Sequence, residues 1–220
     1  MGRFIYILGA DGTGKSTHAQ LLVQYLESRC IRCKRLWLRF PFFFSLPLLA
    51  YARWRGYSWH EVTDSVDHGY WDFQRSWLMQ RVFPTALLMD AALASLLRVY
   101  LPLWLGTTIV CERYVLDMVV DLQVGTHRRL VESWELDAFL RLLPRDAPVI
   151  GLVAPEPVVI QRRPDLRHDR LLTVKLSTYA ALFERIACPV VETIQPVRQA
   201  QDRIVNTIFA NQAQRGPRTI

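Results

Sequence analysis

Nine residues close to the first methionine, GADGTGKST (Gly9–Thr17), have the types and spacing that hold a phosphate. Gly9, Gly14, Lys15 and Ser16 occupy every fixed position of the phosphate-loop pattern. Glycines let the backbone curl so that several N–H groups point at one phosphate, and a following helix adds its dipole. The residues expected to bind ATP are therefore Gly9, Ala10, Asp11, Gly12, Thr13, Gly14, Lys15, Ser16 and Thr17. Lys15 would reach the transferring phosphate, and the Ser16 hydroxyl is placed to bind Mg2+.

Two further groups bear on whether the loop moves that phosphate or only holds it. Glu112-Arg113-Tyr114 follows the β-type run Thr107–Cys111, at the carboxyl end of a strand, where open parallel sheets bind ligands. Glu112 could hold the metal or its waters, and Arg113 could neutralise a second phosphate. The plainer alternative is a surface Glu–Arg pair. Gln161–Arg170, QRRPDLRHDR, places Arg162, Arg163, Arg167 and Arg170 around a proline and two aspartates that discourage a regular helix. A mobile arginine flap of this kind can close over a transferring phosphate and exclude water. A solvated or nucleic-acid-binding loop is the alternative, but the interleaved aromatics that favour single-strand binding are absent.

The elements that must position these groups are legible as apolar runs. Arg3–Leu8, Lys34–Leu38, Thr107–Cys111, Val149–Val153 and Val190–Thr193 are strand-like, and Lys15–Ser28 has helical spacing. Strand–helix alternation predicts an α/β fold in three layers, a five-stranded parallel sheet with helices on both faces. No strand is expected between Pro41 and Leu105, a helical acceptor-binding region of about residues 40–105. Its stretch Tyr57–Arg75 reads as helices and turns, and most of its aromatics as core. Residues 1–211 read as one domain, and 212–220 as a frayed tail.

The chain has 220 residues, 51% of them hydrophobic, and a net charge of +7 carried mostly by arginine, which favours anionic partners. Val82–Leu105 is long enough to span a bilayer, but Asp90, Arg98 and two prolines favour a buried core helix. No transmembrane segment is therefore expected. The four cysteines read as plain thiols, and the cytoplasm is the expected compartment.

The loop, the triplet Arg39-Phe40-Pro41, the Cys-Glu-Arg-Tyr turn and the arginine flap resemble those of thymidylate kinase and related nucleoside-monophosphate kinases. The resemblance covers nearly the whole chain and implies a P-loop kinase fold, ATP and Mg2+, and a small phosphorylated acceptor. It also implies a homodimer and no nucleic-acid partner. Asp11 would contact the acceptor's sugar and Arg113 its phosphate, with Arg39, Phe40, Arg75 and Tyr114 completing the acceptor side. The catalytic set would be Lys15, Arg113, Arg163, Arg167 and Arg170, with Ser16 and Glu112 at the metal. Gly12 stands where some members carry arginine, which points to the flap type. The family's adenine pocket would lie around Thr193–Val197, and no guanine motif is present.

Departures from the family pattern are as informative. Glu112 replaces aspartate, and Phe42–Phe44 follow Pro41 where an arginine for the acceptor phosphate is usual. The positions expected to stack on and bond thymine fall near Leu87 and Ala91. The reading is phosphoryl transfer from ATP to a nucleoside monophosphate, with thymidylate as the default acceptor. The alternatives are a kinase for a more hydrophobic or non-nucleotide acceptor, or a nucleotide-binding protein without transfer activity.

Overall fold

The computed structural model describes residues 2–39, 43–63 and 66–213. Phe40 lies outside them, as does the tail beyond Ala213. Strand β1 (Phe4–Leu8) is buried along its whole length, as a continuous apolar run requires at the centre of a parallel sheet. With β2 (Cys33–Trp37), β5 (Thr108–Arg113), β6 (Val149–Val153) and β7 (Val190–Glu192) it forms an all-parallel sheet of order β2-β5-β1-β6-β7. Tyr6 registers with Cys111 on one side and Val149 on the other, so the ends of β1 and β5 open at the same sheet edge.

The two-residue period of β1 divides the core. Ile5 and Ile7 pack with Ala19, Leu22 and Leu26 of α1 (Lys15–Ser28) and with Ile204 of α9 (Val197–Ala213). Phe4, Tyr6 and Leu8 face the other layer. That layer holds α3 (Trp77–Ser95), α5 (Val115–Thr126), α6 (Trp134–Leu140) and α8 (Leu172–Ile186). The three-layer α/β architecture expected from strand–helix alternation is the one found.

Two expectations for the acceptor region fail. Two antiparallel strands form a hairpin pair, β3 (Ser58–Thr63) with β4 (Val66–Trp71), matching Trp59 with Tyr70 and Glu61 with His68. The rings of Trp59 and Tyr70 stack at 5.7 Å. Cross-strand aromatic contact stabilises a hairpin whose individual strands are too polar to read as buried ones. The aromatics are also not mainly core. Phe73 is buried, but Phe43, Phe44 and Trp59 are exposed, as are Trp54 and Trp77, because α2 (Leu46–Trp54) and α3 rest only one face on the protein.

The start of α2 is set by one carboxylate. Asp90 on α3 is 1% exposed and accepts the backbone N–H groups of Phe43, Phe44 and Ser45 at 2.6–3.0 Å, plus the Ser45 hydroxyl at 2.5 Å. These donors belong to the turn that leads into the helix and to its N-cap residue, Ser45. We predict that Asp90→Ala lowers stability by about 2–3 kcal/mol, since charged acceptors of buried N–H groups carry that order of energy. Urea unfolding checks it, and an unchanged midpoint would show that α2 is held by packing alone.

Candidate active site

The phosphate loop leaves β1 at the open sheet edge and enters α1. Gly14 caps the helix with φ of 90°, a conformation that favours glycine. Gly12, at φ of 81°, lies against α7 (Glu156–Arg162), where an added Cβ would stand 2.8 Å from Val159 Cγ1. Lys15 folds back over the loop and donates to the carbonyls of Gly9 at 2.6 Å and Ala10 at 2.7 Å. Its ammonium also lies 3.6 Å from Asp11. Burial and the neighbouring Arg113 outweigh Asp11 and pull the Lys15 pKa down to about 8.

Strand β5 delivers the second half of the site. Glu112 accepts a 2.5 Å hydrogen bond from the Ser16 hydroxyl, while Arg35 of β2 pairs with its other oxygen. A hydroxyl and a carboxylate converging at the loop are the donors that Mg2+ takes alongside phosphate oxygens, so these residues fit that ion. Ser16 and Glu112 would hold the ion or its waters, and the ion would neutralise charge on the phosphates.

Arg113 is nearly buried between two acids, paired with Asp11 and 3.5 Å from Asp117. Asp117, wholly buried on α5, also accepts from Tyr6 Oη at 2.5 Å, Tyr179 Oη at 2.7 Å and the Tyr114 N–H at 3.1 Å. One turn further along α5, Asp121 takes both arms of Arg39, at 3.1 and 3.2 Å. Burial pushes the Asp121 carboxyl up despite the opposing fields of Arg39 and Arg113. Burial would also raise Asp11, but Arg113 and Lys15 hold it well below the usual carboxylate range. Lys15, Arg39 and Arg113 thus meet Asp11, Asp117 and Asp121 in one charge-balanced cluster.

The flap is anchored rather than free. Leu166 is buried with Val159 and Leu172 in a small apolar cluster of its own. Arg162, at the end of α7, donates to Thr193 Oγ1 at 2.9 Å and to the Thr193 carbonyl, and lies 3.5 Å from the Gly12 carbonyl. Arg163, half-exposed, pairs with Asp165 at 2.6 Å. Arg167 is exposed, and Arg170 reaches the hairpin through Glu61 at 3.2 Å. Asp169 joins the same contact, 3.5 Å from the Tyr70 hydroxyl and 2.8 Å from Lys175.

The structure therefore gathers Asp11, Lys15, Ser16, Arg39, Glu112 and Arg113 at one edge. Two expected acceptor residues stand apart. Arg75 is exposed and pairs with Asp72 at 2.9 Å. Tyr114 is buried, its hydroxyl sharing its one proton between Ser95 Oγ at 2.6 Å and Leu142 O at 2.9 Å inside the core. Arg35, Asp117 and Asp121 were missed, and Arg162, read as a flap arginine, was left out of the catalytic set. The signal for the two aspartates was present, because acids four apart on the apolar helix VLDMVVDLQV need partners. No protein-family model matches the chain, and no curated protein sequence matches it.

Two outcomes follow from this geometry. Asp117→Ala should cost about 3–5 kcal/mol in chemical denaturation, the penalty for stranding a buried partner, with Asp117→Asn less severe. An effect under about 1 kcal/mol would show that Arg113 and the tyrosines repack around water. A phosphate anion held through Lys15 would be bound fully below pH 8 and more weakly as pH rises through it, because the free Lys15 loses its proton there and with it its attraction for the anion. Calorimetric titration from pH 7 to pH 10 tests this, and flat affinity to the alkaline end would contradict it.

Proposed function

We propose that the chain is an ATP- and Mg2+-dependent phosphotransferase of the nucleoside-monophosphate kinase type, with a thymidylate-like acceptor as the default. One observation carries the reading. The loop lysine, the Ser16–Glu112 pair and Arg113 converge at the carboxyl ends of adjacent parallel strands. In phosphoryl transfer, positioning and charge neutralisation supply most of the catalysis, so no separate base is required. Lys15 and Arg163 would neutralise the transferring group, and Arg113 would grip the acceptor with Asp11 at its sugar. Val159 against Gly12 leaves no room for an arginine in the loop, which supports the flap as its source.

A second reading, transfer to a hydroxyl compound without a phosphate, draws support from two features. Leu87 and Ala91, where thymine recognition was expected, are fully buried in the core. Asp121 also occupies both arms of Arg39, so the cation expected to help grip an acceptor phosphate is already neutralised.

The test is ADP release measured over a panel of nucleoside monophosphates and, in parallel, the corresponding nucleosides, with ATP alone as background. Turnover of monophosphates that Lys15→Ala lowers at least ~100-fold supports the first reading. Turnover of nucleosides alone supports the second, and no turnover above background would sink both. Within the flap, Arg163→Ala should lower kcat about tenfold or more while Arg167→Ala changes it little.

A further inference from the structure

Two antiparallel strands without a third are marginally stable by themselves in water. Strands β3 and β4 form a sheet of their own, apart from the five-stranded one. The foot of this hairpin is held, because Trp71 packs on the main core and the Asp72 N–H donates to the Tyr57 carbonyl at 2.8 Å. Above the foot, Tyr70 stacks on Trp59 and is buried, and its hydroxyl ends among residues of the flap.

That junction has a buried part and an exposed part. The Tyr70 hydroxyl lies 3.5 Å from Asp169 Oδ1 and accepts the Arg170 backbone N–H at 3.4 Å. Asp169, also buried, accepts from the Leu171 N–H at 3.0 Å and from Lys175 at 2.8 Å. On the outside, Arg170 pairs with Glu61 of β3 at 3.2 Å. An exposed ion pair contributes little alone. The buried contact matters more, since parting the two segments would take a donor from a carboxylate that is shielded from water.

The flap needs the same support. Leu166 packs with Ala154, Val159 and Leu172 in a cluster separate from the two larger cores. One end of the flap is tied to the phosphate loop, where Arg162 donates to Thr193 Oγ1 at 2.9 Å and lies 3.5 Å from the Gly12 carbonyl. The other end is tied to the hairpin. The flap thus bridges the ATP side and the acceptor region, and neither it nor the hairpin is part of the main sheet. Segments with few ties to a core open at low free energy and in cooperative blocks.

We propose that the hairpin and the flap form one lid that opens and closes as a unit, with Tyr70 and Glu61 as positioning residues for the flap arginines. Closure then depends on the acceptor region as well as on ATP, because the hairpin must travel with the flap. What the lid covers rests on the phosphotransferase reading, whereas the coupling of the two segments does not.

Hydrogen exchange of the full chain, read by mass spectrometry, tests the coupling, which must be reciprocal. Tyr70→Ala should speed exchange across residues 164–171 about tenfold or more, and Asp169→Ala should do the same across β3 and β4, with β1, α1 and α5 unchanged. Tyr70→Phe, which keeps the ring, should act in the same direction. Glu61→Arg should speed both segments by about two- to fivefold, and adding Arg170→Glu should restore them. Faster exchange confined to the mutated segment, or no rescue by the charge swap, would overturn the proposal. On any acceptor that the wild type phosphorylates, Tyr70→Ala should lower kcat about fivefold or more and leave the ATP Kd unchanged, and an unchanged kcat would overturn the positioning role. A wild type without turnover would sink the phosphotransferase reading alone, since the exchange rates decide the coupling without it.

Discussion

A carboxylate sealed from water must be fully bonded or neutral, and that constraint at Asp117 organises the site. Two tyrosine hydroxyls from β1 and α8, a backbone N–H at the start of α5 and the Arg113 guanidinium converge on it. The sheet, two helices of one layer and the β5–α5 turn are thereby fixed relative to each other. Arg113 is in turn held with its other side towards Asp11 in the phosphate loop. The loop's orientation relative to β5 is thus set by a chain of charges running from the core outwards.

Neutrality is the second consequence. Each cation at the sheet edge already has a carboxylate within reach in the resting protein, so an incoming phosphate must compete for Lys15, Arg39 or Arg113 rather than find them idle. Exchange of partners is cheaper than creation of a bare charge in a partly desolvated cleft. Among these cations Lys15 is the one whose pKa is lowered, to about 8, chiefly by burial and then by Arg113.

Continuous apolar runs made the sheet legible. Phe4–Leu8 and Val149–Val153 are buried on both faces, and the phosphate loop announces itself through glycine spacing and context. The hairpin was not legible, because SWHEVT and VDHGYW mix charged with aromatic residues and are stabilised across the strands, not along them. The exposed tryptophans ran against the usual equation of aromatics with core, since a helix on the outer layer buries only one face. Within the site, the loop and Arg113 could be read directly. The anchoring of Arg162 could not, because it depends on where α7 ends against Gly12 and Thr193.

The contact between Gly12 and Val159 constrains how this protein can change. An arginine at position 12 would have to overcome a left-handed backbone angle and a collision with both the side chain and the carbonyl of Val159. Shortening Val159 beforehand would relieve only part of that, and would loosen Leu166 and Leu172, which pack with it beneath the flap. The two positions are therefore epistatic, with single steps in either direction passing through an impaired intermediate. A lineage that has closed this contact has no room left for a long side chain at position 12.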